Sequence, residues 1–205
     1  MKRKILLVGG AGFIGHNLAI LLKQKNQNVI VADNLNINSL NYIKKEIKDK
    51  NKKKLYNTFI NERLKLLKKN KVLFKKVDAQ NKNQLNNIVK KYQPDVLVHL
   101  AAVSHDGRSN KNPELAFNNS FKTLFNSLES VKDLKKIHFI FLSSSMVYGT
   151  FKKSAVTEKE ICNPIGIYGS LKLSSELLIK SYSNVFGLNY TIVRPSALYG
   201  ERCIS

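Results

Sequence analysis

KILLVGGAGFIG, residues 4–15, decides how this chain folds. Its first five residues form a short apolar run, the pattern of a strand buried on both faces. Glycines follow at Gly9, Gly10, Gly12 and Gly15. From residue 13 to 25 the spacing turns helical, with Leu18, Leu21 and Leu22 on one side. A strand that runs through glycines into a helix makes an anion site. Glycine lets the backbone turn tightly and approach a ligand without a Cβ clash, and the helix N-terminus offers free N–H groups and partial positive charge. The basic head and apolar run superficially match a secretory leader. The glycines break that run and no small-x-small cleavage site follows, which excludes the reading.

Two glycine patterns overlap, Gly10-x-Gly12-x-x-Gly15 and Gly9-x-x-Gly12-x-x-Gly15. Between a strand and a helix they read as a dinucleotide cradle. Gly9, Gly12, Phe13, Ile14 and Gly15 are its candidate contacts. Asp33 ends the next apolar run, NVIVAD, 18 residues after Gly15. A carboxylate there accepts hydrogen bonds from the adenosine ribose and repels a 2′-phosphate, so NAD is favoured over NADP. The neighbouring Asn34 tolerates either.

Further apolar runs follow at 71–78, 95–102, 136–144 and 189–196. Helical segments separate them around 83–92, 113–132 and 168–186. Six strands alternating with helices predict an α/β fold: a Rossmann-type, doubly wound parallel sheet with helices on both faces. Segment 36–70 is long for a strand-to-strand link and is expected to hold one or two Lys-rich helices. The length of 205 residues fits one domain.

The formal net charge is +21. Lysines are densest between Lys44 and Lys76, without the aromatic interleaving of a single-strand-binding surface. A solvated lysine bias is preferred to a nucleic-acid partner. No run approaches the ~18 apolar residues of a membrane span. Cys162 and Cys203 show no metal spacing, so no metal is expected, and sparse cysteine points to the reducing cytoplasm.

Tyr-Gly-x-x-Lys occurs twice, at Tyr148 and at Tyr168. The first closes LSSSMVYG at a strand end, without helical continuation. The second opens a helical run after Pro164, where positions i and i+4 share a face. Lys172 is then expected beside Tyr168, lowering a phenol pKa that starts near ~10 and preparing a general base. A hydroxyl among Ser143–Ser145 is placed to hold the same substrate oxygen. Tyr168 and Lys172 form the expected couple, and Tyr148 with Lys152 the decoy.

GGAGFIG, the Asp of VADNL, VDAQN, HLAA, SSSMVYG, NPIGIYGSLK and RPSALYG together resemble the extended short-chain dehydrogenase/reductase family, in its NAD-dependent nucleotide-sugar epimerase/dehydratase group. The resemblance runs over nearly the whole chain in the family's order. It implies Asp78 and Ala79 near the adenine, and Leu100, Ala101 and Ala102 along the cofactor. It implies Ser144, Tyr168 and Lys172 as the catalytic set, Lys172 also on the nicotinamide ribose, and Ser196 near the nicotinamide. It implies a nucleotide-sugar substrate, and a homodimer through helices 113–132 and 168–186.

Dehydratases of this group carry Asp-Glu after the catalytic Thr; here Ser145 and Met146 stand there. Methionine moves no proton, so an epimerase or a keto-sugar reductase is expected. Ungapped alignment from Pro113 puts Ser120 where the family has a cofactor-contacting Asn, with Asn119 one residue away. Ala197 replaces an Asn that often contacts substrate. In the loop at 104–113, His105, Asp106 and Arg108 are candidates for substrate contact. His99 is expected to be structural, His16 to cap or solvate the first helix, and Cys162 to be a small filler.

Relatives by this resemblance continue into a smaller C-terminal substrate domain, absent from this chain. Residues 1–205 are therefore expected to be the NAD-binding domain of a longer enzyme, inactive if truncated. The alternatives are a non-catalytic NAD-binding module and, last, a basic nucleic-acid binder.

Overall fold

The computed structural model describes residues 2–37, 40–104, 106–151 and 154–204. The expectations for His105 and Lys152 lie outside them. Six strands form one parallel sheet: β1 (Lys4–Val8), β2 (Asn28–Asp33), β3 (Leu73–Lys76), β4 (Val96–His99), β5 (His138–Leu142) and β6 (Asn189–Val193). Their order is β3-β2-β1-β4-β5-β6. Ile5 of β1 pairs with Val29 on one side and Val96 on the other. The chain leaves β1 in one direction and returns at β4 on its other side. That reversal opens a crevice at the strands' C-terminal ends, the ligand-binding place of such sheets.

Alternation along the central strands divides the core. Ile5, Leu7, Val29, Val31, Val96 and Val98 face one layer, with Ala19 of α1 (Phe13–Gln24) and Leu67 of α3 (Lys50–Lys69). Leu6, Val8, Ile30, Ala32 and Leu97 face the other. There they meet α4 (Lys82–Tyr92), α7 (Thr123–Val131) and α8 (Ile167–Phe186). Burial on both faces holds for β1, β2 and β4. It fails for β6, the edge strand, where exposed Asn189, Thr191 and Val193 alternate with half-buried Tyr190 and Ile192.

Segment 36–70 holds two helices, α2 (Leu40–Glu46) and α3. Asp49 caps α3 by accepting from Lys52 N at 2.7 Å. Tyr56 and Ile60 of α3 join Ile43 and Ile204 in a third, small apolar cluster. Two short helices, α5 (Asp106–Lys111) and α6 (Pro113–Ala116), lead into a π-helical turn at Phe117–Lys122 and then α7. No helix among the described residues is long and apolar enough to cross a membrane.

Candidate active site

A cleft of about 920 Å³ runs along the C-terminal edge of the sheet. Its floor begins at the glycine turn. Gly9 adopts φ +79° and its N–H donates to the Ala32 carbonyl at 2.8 Å. A Cβ there would lie 2.6 Å from Ala101 N, so only glycine fits. One on Gly15 would lie 2.5 Å from Gly10 Cα, which fixes how closely α1 packs on its own turn. Gly12 is the N-cap of α1, and no side chain caps that end. The first N–H groups of α1 are thus left for a ligand.

Asp33 stands beside this turn. Its Oδ2 accepts from Ala11 N at 3.0 Å and its Oδ1 from Leu35 N at 2.8 Å. Burial pushes its carboxyl up, against these two bonds. Each oxygen keeps acceptor capacity for a hydroxyl donor. Asn34 Nδ2 donates to Asp78 Oδ1 at 3.1 Å, tying two expected contacts together. Ala79, Leu100, Ala101 and Ala102 continue the wall, and Ser196 lines the far end. The glycine turn, the uncapped helix and the ribose-height carboxylate together fit a dinucleotide.

Ser120 departs from expectation. It is buried off the cleft, its Oγ accepting from Val103 N at 3.1 Å. Asn119 lines the cleft instead, its Oδ1 accepting from Gln80 Nε2 at 3.1 Å. The cause is the π-helical turn at 117–122, which carries one more residue per turn than an α-helix and shifts which side chain faces inward.

Tyr168 opens α8 at the far end of the cleft, beside Ser144 on the same wall. Ser144 follows β5 and caps a short 3₁₀ turn, Ser145–Tyr148, by accepting from Met146 N at 3.2 Å. Lys172 lies one turn along α8, buried. Its Nζ donates to the Leu142 carbonyl at 2.6 Å and sits over the rings of Phe141 and Tyr168, 4.8 and 5.7 Å from their centroids. The shared helix face is as expected. The electrostatics differ: burial pushes the Tyr168 phenol up, opposed by the Ser144 hydroxyl, and Lys172 does not offset it. The ammonium is spent on a carbonyl and the ring face rather than on the phenol oxygen. Burial also pulls Lys172 down to about 8, against the charge of Glu176.

Beneath this couple lies an ion pair. Glu176 is fully buried, and Arg194 grips it through Nε at 2.9 Å and Nη2 at 2.6 Å. Ser143 Oγ donates to the same carboxylate. Tyr148, the decoy, accepts from Arg194 Nη1 at 2.8 Å and is absent from the cleft wall. The network locks the end of β5, which carries Ser144, to the helix carrying Tyr168 and Lys172.

Met146 lines the cleft and is 43% exposed. Asp106, a cleft carboxylate, is held by Asn110 Nδ2 at 2.8 Å and lies against Gly166. Arg108 stacks on the Tyr42 ring at 3.8 Å. His99 is buried with Nδ1 3.0 Å from Ser127 Oγ, a structural placement. His16 neither caps nor meets solvent. It is fully buried, with Nδ1 donating to the Gly12 carbonyl at 2.9 Å and Nε2 accepting from Arg202 at 3.0 Å. Cys162 is half-buried and off the cleft wall. The reading of residues missed one wall of the cleft, where Ile60, Arg63 and Leu64 meet Cys203 and Ile204. A signal for it was present. Tyr56, Ile60, Arg63 and Leu67 fall on one face of α3, with an arginine in an apolar position.

The sequence model of the NAD dependent epimerase/dehydratase family matches residues 5–204. The chain is 32% identical to "dTDP-D-glucose 4,6-dehydratase" of Dictyostelium discoideum, over 98% of this chain and 45% of that protein. It is 32% identical to "Protein CapI" of Staphylococcus aureus, over 96% and 54%. It spans about half the length of the curated relatives it matches. Among solved structures, UDP-glucuronic acid 4-epimerase from Bacillus cereus in complex with NAD superimposes with a TM-score of 0.78 at 30% identity. That match covers 98% of this chain and 58% of the other. UDP-glucose 4-epimerase from Brucella ovis in complex with NAD gives 0.76 at 26%, covering 94% and 51%.

Proposed function

The chain belongs to the NAD dependent epimerase/dehydratase family, and from that premise we propose that it is the NAD-binding unit of a nucleotide-sugar epimerase or keto-sugar reductase. The observation that carries this is that Ser144, Tyr168 and Lys172 line the end of the same cleft that starts with the glycine turn. Gly9, Gly12, Phe13, Ile14 and Gly15 would hold the pyrophosphate, Asp33 and Asn34 the adenosine ribose, and Asp78 and Ala79 the adenine. Bound NAD would supply the hydride acceptor for a sugar carbon. Ser144 would orient the sugar hydroxyl, and Tyr168 would take its proton as a phenolate, the form that the positive charge of an oxidised nicotinamide favours against the upward push of burial. Lys172 holds its charge close to the Tyr168 ring and supplies a donor for the nicotinamide ribose. Leu100, Ala101, Ala102 and Ser196 complete the wall without competing acids.

Elimination of water is disfavoured. Met146 and Ser145 occupy the edge where dehydratases would need an acid and a base. Relatives of about twice the length support a longer enzyme, with a nucleotide sugar as its substrate. The unpaired cysteines accord with a cytoplasmic setting. Helices 113–132 and 168–186, which expose Phe125, Leu177 and Val185, are proposed as a homodimer face.

The test is Tyr168→Phe in the full-length protein, with conversion of UDP-hexoses to their epimers followed by chromatography and NADH oxidation followed on mixing with keto-sugar nucleotides. Turnover falls by about 10²–10⁴-fold while NAD affinity stays within about twofold. Undiminished turnover would remove Tyr168 from the chemistry.

A further inference from the structure

A buried arginine lies on the missed wall of the cleft, and a second, half-buried arginine off the cleft holds it. Arg63 of α3 is 2% exposed. Its Nε donates to the Arg202 carbonyl at 3.2 Å, and its Nη2 donates to the same oxygen. The Arg202 side chain turns back onto α1: its Nε donates to His16 Nε2 at 3.0 Å and its Nη2 to Asn17 Oδ1 at 3.3 Å. His16 closes the chain by donating from Nδ1 to Gly12, the N-cap of the cradle helix. An arginine only donates, so Nε2 must accept and Nδ1 carries the imidazole proton. Burial, helped by the two guanidinium charges and opposed by the bond to Gly12, pulls the His16 pKa down to about 4.

The charges do not balance. Arg202 pairs through Nη1 with Glu201 at 2.9 Å, but that carboxylate is 83% exposed and strongly screened. Among the described residues no carboxylate pairs with Arg63. Among the described residues its acceptor is a neutral carbonyl, and desolvation pulls it down to about 10, opposed by the nearby Cys203 sulfur. Buried charge is ordinarily paired, because an uncompensated cation is costly in a low dielectric. The unbalanced pair adjoins the turn whose backbone N–H groups already favour an anion.

We infer that Arg63, held in place by Arg202, is the electrostatic half of a pyrophosphate site, and that the dinucleotide's diphosphate is its counter-ion. This rests on the NAD reading above. It assigns α3 and the 200–204 segment a binding role that the glycine motif alone does not contain. Neutral His16 links the pair to the turn without adding a third charge.

The test is calorimetric titration of NAD and of adenosine, which has no phosphate, into the wild type, Arg63→Met and Arg202→Gln, at two salt concentrations. Each variant should weaken NAD by about tenfold or more, leave adenosine within about twofold, and flatten the salt dependence of NAD affinity. Variants that bind NAD like the wild type overturn the inference. So does an equal loss for NAD and adenosine, which marks a structural role. If Arg63→Met does not fold, Arg202→Gln decides by the same ratio. A wild type that binds no NAD defeats the cofactor reading itself, and this inference with it.

Discussion

Two arginines, Arg194 and Arg63, divide this molecule into two kinds of region. Arg194 sits under the Tyr168 end of the cleft with Glu176 in a two-point grip and Tyr148 and Ser143 around it. Arg63 sits along the other wall with a backbone carbonyl as its partner. The first is a closed network whose charges cancel within the protein. The second is open, and its charge is left for a ligand. A closed network fixes geometry, as a proton-transfer couple requires. An open one stores affinity, as a cofactor site requires.

The sharpest way to break this contrast is to delete each guanidinium. Arg194→Met strands Glu176 without a counter-ion and should cost about 3–5 kcal/mol of stability. Arg63→Met strands no carboxylate and should cost clearly less without ligand. Chemical denaturation of the two variants measures the difference, and equal losses would erase the distinction.

Acid sharpens the comparison next. His16 in the open region and His99 beside the closed one are depressed to about 4 and about 3, each mainly by burial. Between those values and 6.5 the unfolded chain binds protons that the folded chain refuses, so stability rises with pH across this window. It is lost as pH falls from about 6.5, by on the order of a few kcal/mol at pH 4. Thermal unfolding against pH should show the slope, and His99→Gln should reduce it. The smallest expected effect is local: Asp49→Ala removes the cap of α3 and should cost about 1 kcal/mol. An unchanged midpoint would mean that α3 is held by Tyr56, Ile60 and Leu67 alone.

The two regions also differ in how far the sequence exposes them. Helical period alone puts Tyr168 and Lys172 on one face, and glycine spacing alone places the turn after β1. Those signals are local. Arg63 and Arg202 meet across 139 residues, and no periodicity predicts such a contact. The α3 stripe announces that residue 63 is inward, without saying what it faces. Asn119 stands one residue from the position that ungapped alignment picks, because a π-helical turn breaks the register such alignment assumes. The direction of the Tyr168 shift was misjudged because adjacency on a helix does not say where an ammonium points. Lys172 points to the Leu142 carbonyl.

The central claim is that this cleft holds NAD and that Asp33 reads its ribose. Titrating NAD and NADP into the chain, as wild type and as Asp33→Asn, tests it most directly. The account predicts one NAD per chain, NADP weaker by about tenfold or more, and loss of that preference in the variant. Equal binding of both cofactors to the wild type, or binding of neither, would contradict it.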